Sequence, residues 1–230
     1  MKWILVAFVS VFSVFTYAKD WKQIRFTVEG AYPPFSWTTQ DGELEGFEVD
    51  LANALCIELE VKCIISKTDW DGIIPSLLSR KNDAIIAAMT ITEGREINMD
   101  DGSLNELTIG VQRATIGDKY LSEIYPDVDI KRYGSFDEAF TDLLNGRLDS
   151  VFGGSMGLNA GFLETDQGKD YHFTGPKFTE EKWFGRGIGV AVRKQDDELK
   201  DLIDSGIQRL IDNGQHQKIA SKYFSYSIYE

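Results

Sequence analysis

Basic residues and long apolar runs are both scarce in this 230-residue sequence. Lysine and arginine total 24 against 37 aspartate and glutamate residues, which gives a formal net charge of -13 at pH 7. A negative field of this kind repels nucleic acid and anionic lipid surfaces, so neither is an expected partner. After residue 18 no segment is apolar enough to span a bilayer. The composition therefore predicts a soluble protein.

The N-terminal segment has the pattern of a secretory signal peptide. Lys2 precedes an apolar run from Trp3 to Phe15, and Ala18 stands at the expected cleavage position. A membrane anchor would need a longer apolar stretch than this one. We expect residues 1–18 to be a signal peptide, with an exported mature chain that begins near Lys19.

Cysteine and histidine are the rarest of the chemically reactive residues, with two of each. Cys56 and Cys63 lack the C-x-x-C spacing and have no histidine nearby, which argues against a metal or redox pair. An even number of cysteines in an exported protein favours a disulfide. We expect a Cys56–Cys63 bridge, with no metal and no cofactor.

Short β-rich runs alternate with helical patterns along most of the chain. The β-rich runs cover residues 24–28, 63–66, 84–89, 108–112, 130–133 and 150–153, and the helical patterns cover 46–59, 72–80, 136–145, 198–212 and 215–223. Such alternation predicts an α/β architecture with largely parallel sheets.

One segment is repeated. LLSRKNDAIIAAM (77–89) and LLNGRLDSVFGGS (143–155) share a Leu-Leu helix end, a polar turn, an aspartate, three apolar strand residues and a pair of tiny residues. The repeat predicts two similar α/β lobes. Ligands of open α/β sheets bind at the carboxyl ends of strands, where both tiny pairs lie. We therefore expect a small molecule between the lobes.

Residues 153–157 also spell G-x-S-x-G, the nucleophile elbow of many serine hydrolases. Ser155 would need an acid, a histidine and an oxyanion loop. The chain offers only His172 and His216, and it contains no HGGG-type loop. We interpret the stretch as a ligand-facing turn and keep hydrolysis as a weaker alternative.

The first predicted lobe contains three candidate ligand contacts. Glu29 follows the first strand and is placed to meet a cationic group, although an isolated glutamate is usually solvated. Tyr32 lies in a loop stiffened by prolines and offers a pocket wall, although aromatic residues beside prolines often serve packing alone. Trp70 is placed to stack on a ligand, with ordinary packing as the alternative.

Residues 89–96, MTITEGRE, form the most specific local feature. Thr90 ends a strand, and Arg95 falls in the first turn of a helix predicted to begin near Glu93. Arginine normally prefers the other end of a helix, so a bidentate grip on a carboxylate would explain its place. A surface ion pair with a neighbouring glutamate is the alternative. In the second lobe, Thr115 stands at another predicted helix start.

With these residues in view, the chain resembles the polar amino-acid-binding periplasmic proteins of bacterial ABC importers (solute-binding protein family 3), above all the lysine/arginine/ornithine and histidine group. The resemblance is carried by EGAYPPF, GELEGFEVDLANALC, the Cys56/Cys63 spacing, DWDGIIPSLL, DAIIAAMTIT with Arg95, LNGRLDS, GKDYHFTGP and KYFSYSIY. It implies a two-lobed periplasmic binding protein fold of type II, with the ligand cleft between the lobes.

The resemblance also implies roles for the candidate residues. Arg95 and Thr90 would hold the ligand carboxylate with help from Thr115, Tyr32 and Trp70 would enclose its side chain, and Glu29 would face its distal cation. Ala87 and Ala88 stand where the family often offers serine or a backbone carbonyl. The implied partners are a small amino-acid-like ligand and an inner-membrane ABC permease, and we expect a periplasmic monomer.

Two departures from the family qualify this picture. Gly154 stands where the family has the aspartate that receives the α-ammonium group. Its absence favours a ligand without a primary α-amine, such as an opine or another N-substituted derivative, or else weak binding. The family also has an additional stretch between Asp100 and Asp101. We expect lobe 1 to cover residues 19–100 and 186–230, and a shortened lobe 2 to cover 101–185. An enzyme on the same fold, resembling cyclohexadienyl dehydratase with Glu29 as its acid, is the remaining alternative.

Overall fold

The computed structural model describes residues 21–90, 104, 107–173, 181–185 and 187–225. The strands are β1 (Gln23–Val28), β2 (Ala31–Tyr32), β3 (Ser36–Thr38), β4 (Leu44–Glu45), β5 (Lys62–Lys67), β6 (Ala84–Thr90), β7 (Thr108–Gln112), β8 (Asp129–Tyr133), β9 (Ser150–Phe152) and β10 (Ile188–Val192). The α-helices are α1 (Phe47–Glu58), α2 (Trp70–Leu78), α3 (Ile116–Ile124), α4 (Phe136–Leu144), α5 (Ser155–Leu158), α6 (Glu181–Phe184), α7 (Asp197–Asp212) and α8 (Gln215–Ala220). None of the described helices has the length and hydropathy needed to cross a membrane.

The first lobe is built on a four-stranded sheet with the order β10-β6-β1-β5. β1 runs parallel to β5 and β6, and β10 returns from the end of the chain to pair antiparallel with β6. Helices α1, α7 and α8 pack together, and Leu55, Leu199 and Ile203 join Ile24 and Phe26 of β1 in one core. The disulfide Cys56–Cys63 links α1 to β5, as predicted.

The second lobe has a parallel sheet with the order β8-β7-β9. Its core lies between this sheet and helices α3 and α6, where Val111, Tyr120, Leu121 and Trp183 are buried. Burial of large aromatic side chains of this kind is a strong source of stability in a small lobe. The α/β class with two lobes is therefore confirmed.

The repeated segment occupies the same place in both sheets. β6 pairs with β1, the first strand of its sheet, and β9 pairs with β7, the first strand of the other sheet. The strand orders β5-β1-β6 and β8-β7-β9 therefore correspond. Asp83 accepts a hydrogen bond from the Arg25 amide at 3.0 Å, and Asp149 accepts one from the Thr108 amide at 2.8 Å. Each aspartate thus fixes the start of its strand against the neighbouring one.

The structure also corrects and extends the predicted elements. α2 begins at Trp70 instead of Gly72, because Asp69 and Asp71 supply the negative charge that favours a helix start. Three short antiparallel strands, β2, β3 and β4, lie between β1 and α1 and were not predicted, and neither was β10. The predicted helix start near Glu93 and the boundary at Asp100 lie outside the described residues.

Candidate functional site

The carboxyl ends of β1 and β7 lie where the two lobes meet. Glu29 directly follows β1, and Gln112 is the last residue of β7. The Gln112 side-chain amide donates a short hydrogen bond to the Glu29 carboxylate, and each residue is only 3 % exposed. Two residues far apart in sequence therefore join the two lobes at this point.

Burial makes Glu29 hard to ionise. Desolvation is the largest influence and raises its pKa to about 7, while the hydrogen bond from Gln112 opposes the rise. Asp69 and Asp137 raise the pKa further, and Lys67 lowers it. Lys67 and Asp137 line an open crevice of about 460 Å³ between the lobes. A cation bound beside Glu29 would compensate the desolvation of the carboxylate.

Tyr32 reaches across the cleft and packs on the second lobe. Its ring stacks between Phe35 of the first lobe, at 5.3 Å, and Phe136 of the second, at 5.6 Å. A Cβ atom on Gly154 would lie 2.9 Å from the Tyr32 hydroxyl oxygen, and one on Gly157 would overlap the ring. The absence of side chains at these two glycines makes the notch that receives the tyrosine.

Trp70 also contacts the opposite lobe. Its indole N–H donates to the carbonyl oxygen of Ala114 at 3.3 Å. Beside it, Asp71 forms an ion pair of 3.1 Å with Arg113. Both residues of that ion pair are about half exposed, so it contributes little energy. The N-terminal turn of α2 and the turn after β7 thus form a second point of contact between the lobes.

The tiny pair Ala87-Ala88 stands near the end of β6. Ala88 has a positive φ of 46°, and its amide donates to the buried carboxylate of Glu48. Ser36 donates to the other Glu48 oxygen at 3.1 Å. Burial raises the pKa of Glu48 to about 7 despite these donors. Glu48 therefore holds the strained end of β6 in place.

Only some of the residues predicted to bind the ligand carboxylate lie in the part of the chain that the structure describes. Thr115 is the N-cap of α3, where its hydroxyl accepts from the Asp118 amide at 3.2 Å and donates to the Gln112 carbonyl at 2.7 Å. The backbone of Thr90 ends β6. Arg95 lies outside the described residues. Their roles in binding stay predictions.

The G-x-S-x-G glycines serve the packing of aromatic rings. A Cβ atom on Gly153 would lie 2.5 Å from Phe136, and Gly157 makes room for Tyr32. Ser155 begins the short helix α5, while the His216 ring packs edge-on against Phe47 in the first lobe. The motif thus has a structural explanation that requires no nucleophile.

Gln112 and Glu48 were not among the predicted site residues. Gln112 carries a signal, since a polar residue ending the apolar run TIGV at a predicted cleft is suited to a ligand or lobe contact. Glu48 carries none, because an acidic residue in the first turn of a helix is ordinary. Within the part of the chain that the structure describes, no group of three or more histidine, cysteine or acidic residues could hold a metal ion.

Comparison with known proteins identifies relatives over nearly the whole chain. It is 43 % identical to an L-arginine-binding protein of Pseudomonas aeruginosa, with 96 % of this chain and 94 % of that protein aligned. It is 32 % identical to the lysine/arginine/ornithine-binding periplasmic protein of Escherichia coli, with 93 % and 92 % aligned. The solved structure of a Salmonella typhimurium periplasmic binding protein with high arginine specificity matches with a TM-score of 0.79 at 26 % identity, over 89 % of this chain and all of the other.

These relatives bear on two earlier expectations. All three are named as binding proteins, which supports a non-enzymatic protein over the hydrolase and dehydratase alternatives. The second expectation is that the family has a stretch that this chain lacks. The alignment with the P. aeruginosa protein runs over 245 positions, more than the 230 residues of this chain, so it includes positions where this chain has no residue. Residues 24–226 match the model of one family, and the chain belongs to the bacterial extracellular solute-binding proteins, family 3.

Proposed function

We propose that this chain is the periplasmic substrate-binding component of an ABC amino-acid importer, and that it binds a basic amino acid or an opine-like derivative. The ligand lies between the two lobes and favours the form in which they are closed. Binding then shifts the population towards that form, because only there do both lobes contact the ligand. The arginine- and lysine-binding relatives support this class of ligand.

The buried carboxylate of Glu29 is the observation that carries the proposal. A carboxylate that is 3 % exposed needs a positive partner to stay ionised at low cost. The distal ammonium or guanidinium group of a basic amino acid supplies that charge. In this proposal Tyr32 and Trp70, which both contact the second lobe, enclose the methylene groups of such a side chain.

Gly154 narrows the proposed class of ligand further. The second lobe offers no carboxylate at this position, so a primary α-ammonium group lacks its strongest partner there. A derivative whose α-nitrogen carries a substituent depends less on a carboxylate at this position. Arg95, with Thr90 and Thr115, holds the carboxylate end of the ligand in this proposal.

The cellular setting follows from the same proposal. Residues 1–18 direct export and are removed, and the mature chain acts as a monomer in the periplasm. An inner-membrane permease then recognises the closed form. Periplasmic relatives and the apolar N-terminal segment support this location.

Equilibrium calorimetry on the mature chain tests the proposal. Arginine, lysine, ornithine, histidine, glutamine, octopine and nopaline form the ligand panel. Basic ligands or the two opines are expected to bind, and Arg95→Ala is expected to abolish binding. Glutamine binding as tightly as arginine would contradict the role of Glu29, and unchanged affinity in the Arg95 variant would contradict the role of the guanidinium.

A further inference from the structure

Gln112 of the second lobe uses both hydrogen atoms of its side-chain amide nitrogen in hydrogen bonds, and one of these bonds crosses to the first lobe. That nitrogen donates to Glu29 of the first lobe and, at 3.2 Å, to the carbonyl oxygen of Gly134 in the second. Since a primary amide nitrogen has two N–H groups, these bonds use both of them. The bond to Gly134 fixes the amide in the second lobe and directs its other N–H at the carboxylate.

The surroundings of Glu29 make this donor important. Asp69, Asp137 and Glu48 are negative groups that disfavour its ionisation, while Lys67 favours it. Among the contacts of the described residues, the Gln112 amide is the hydrogen bond that stabilises the carboxylate form. It comes from the opposite lobe, so it requires the lobes to be close together.

We propose that Gln112 is a positioning residue, whose amide holds the Glu29 carboxylate ionised and directed into the closed cleft. Gln112 acts through Glu29, which in turn accepts the distal cation of the ligand. The part of this inference that concerns the ligand rests on the proposed function. The coupling between Gln112 and Glu29 is measurable without any ligand.

Titration of Glu29 in the full mature chain tests the coupling. Carbon-detected NMR of a glutamate-labelled sample follows the carboxyl group, and Glu29→Gln identifies its signal. Gln112→Leu keeps the side-chain volume and removes the N–H donor. We expect it to raise the pKa of Glu29 by about one to two pH units. Gln112→Asn is too short to reach both acceptors and is expected to act in the same direction.

Gln208→Leu is the matched control, because Gln208 makes a hydrogen bond of 2.8 Å to Asp212 on the exposed face of α7. It is expected to leave the pKa of Glu29 unchanged. An unchanged Glu29 pKa in both Gln112 variants would overturn the proposal, once circular dichroism has verified their folding and small-angle scattering has verified that the lobes are closed during the titration. Where the free chain is open, arginine is added to close it.

The pH profile of lysine and arginine binding separates positioning from a general structural defect. In Gln112→Leu the pH below which affinity falls is expected to rise with the pKa of Glu29, and affinity is expected to approach the wild-type value at high pH. Equal weakening at every pH would overturn the proposed role. If the wild-type chain binds no basic amino acid, the proposed function fails, and the ligand-free titration still decides what Gln112 does.

Discussion

Under the proposed function, replacing Gly154 by aspartate is expected to supply a partner for the α-ammonium group of the ligand. The new Cβ atom would lie 2.9 Å from the Tyr32 hydroxyl oxygen, so the tyrosine must rotate slightly. That adjustment costs on the order of 1 kcal/mol. Leaving a buried ammonium group without a carboxylate partner costs about 2–5 kcal/mol, and a restored carboxylate removes that cost. The difference of about 1–4 kcal/mol predicts that lysine and arginine bind about 5- to 1,000-fold more tightly.

Isothermal titration calorimetry measures this change, and two further variants isolate its cause. Gly154→Asn has nearly the same shape without the charge, so it is expected to weaken binding slightly. Tyr32→Phe combined with Gly154→Asp removes the hydroxyl group that the new side chain meets, so it should retain the gain. Octopine and nopaline are expected to gain less affinity, because the substituent on their α-nitrogen occupies the space of the new aspartate side chain. Equal or weaker binding of lysine in both aspartate variants would refute the reasoning about the missing partner.

Three further predictions concern the buried carboxylates and the notch. Affinity for basic amino acids should fall about tenfold per pH unit below pH 7, because protonation neutralises Glu29. The Glu29→Gln variant should bind these ligands weakly at every pH. Calorimetry from pH 5 to 8 measures both effects. The folded state holds a proton on Glu48 that the unfolded state releases between pH 4.5 and about 7, so stability should fall as pH rises through this window. Glu48→Gln should lessen that fall by up to about 3 kcal/mol in urea unfolding at pH 8. Gly157→Ala should displace Tyr32 and enlarge the radius of gyration in small-angle scattering, and an unchanged radius would contradict the packing.

Much of the fold was predictable because its signals are local. The strand at Thr108–Gln112 was predicted with the bounds that the structure has, and α4 differs by one residue. Apolar runs, turns and helix patterns depend on neighbouring residues, so they appear in the sequence itself. β2, β3 and β4 escaped prediction because strands of two or three residues are too short to carry such a pattern.

Part of the candidate site was predictable because some of its residues lie at the ends of recognisable strands. Glu29 and Ala88 were placed at the cleft because the carboxyl ends of strands mark ligand sites. Gln112 was missed as a partner of Glu29 because 83 positions separate the two residues. Thr115 was predicted as a ligand contact from its position alone, and the structure adds its function as a helix cap.

The sequence by itself determined the α/β alternation, the two similar lobes, the disulfide and the carboxyl-end location of Glu29, because each follows from local patterns and spacing. Only the tertiary structure decided that Gln112 meets Glu29 and that Tyr32 lies in the notch at Gly154 and Gly157. Those contacts join separate lobes, and their geometry depends on how two folded bodies pack against each other.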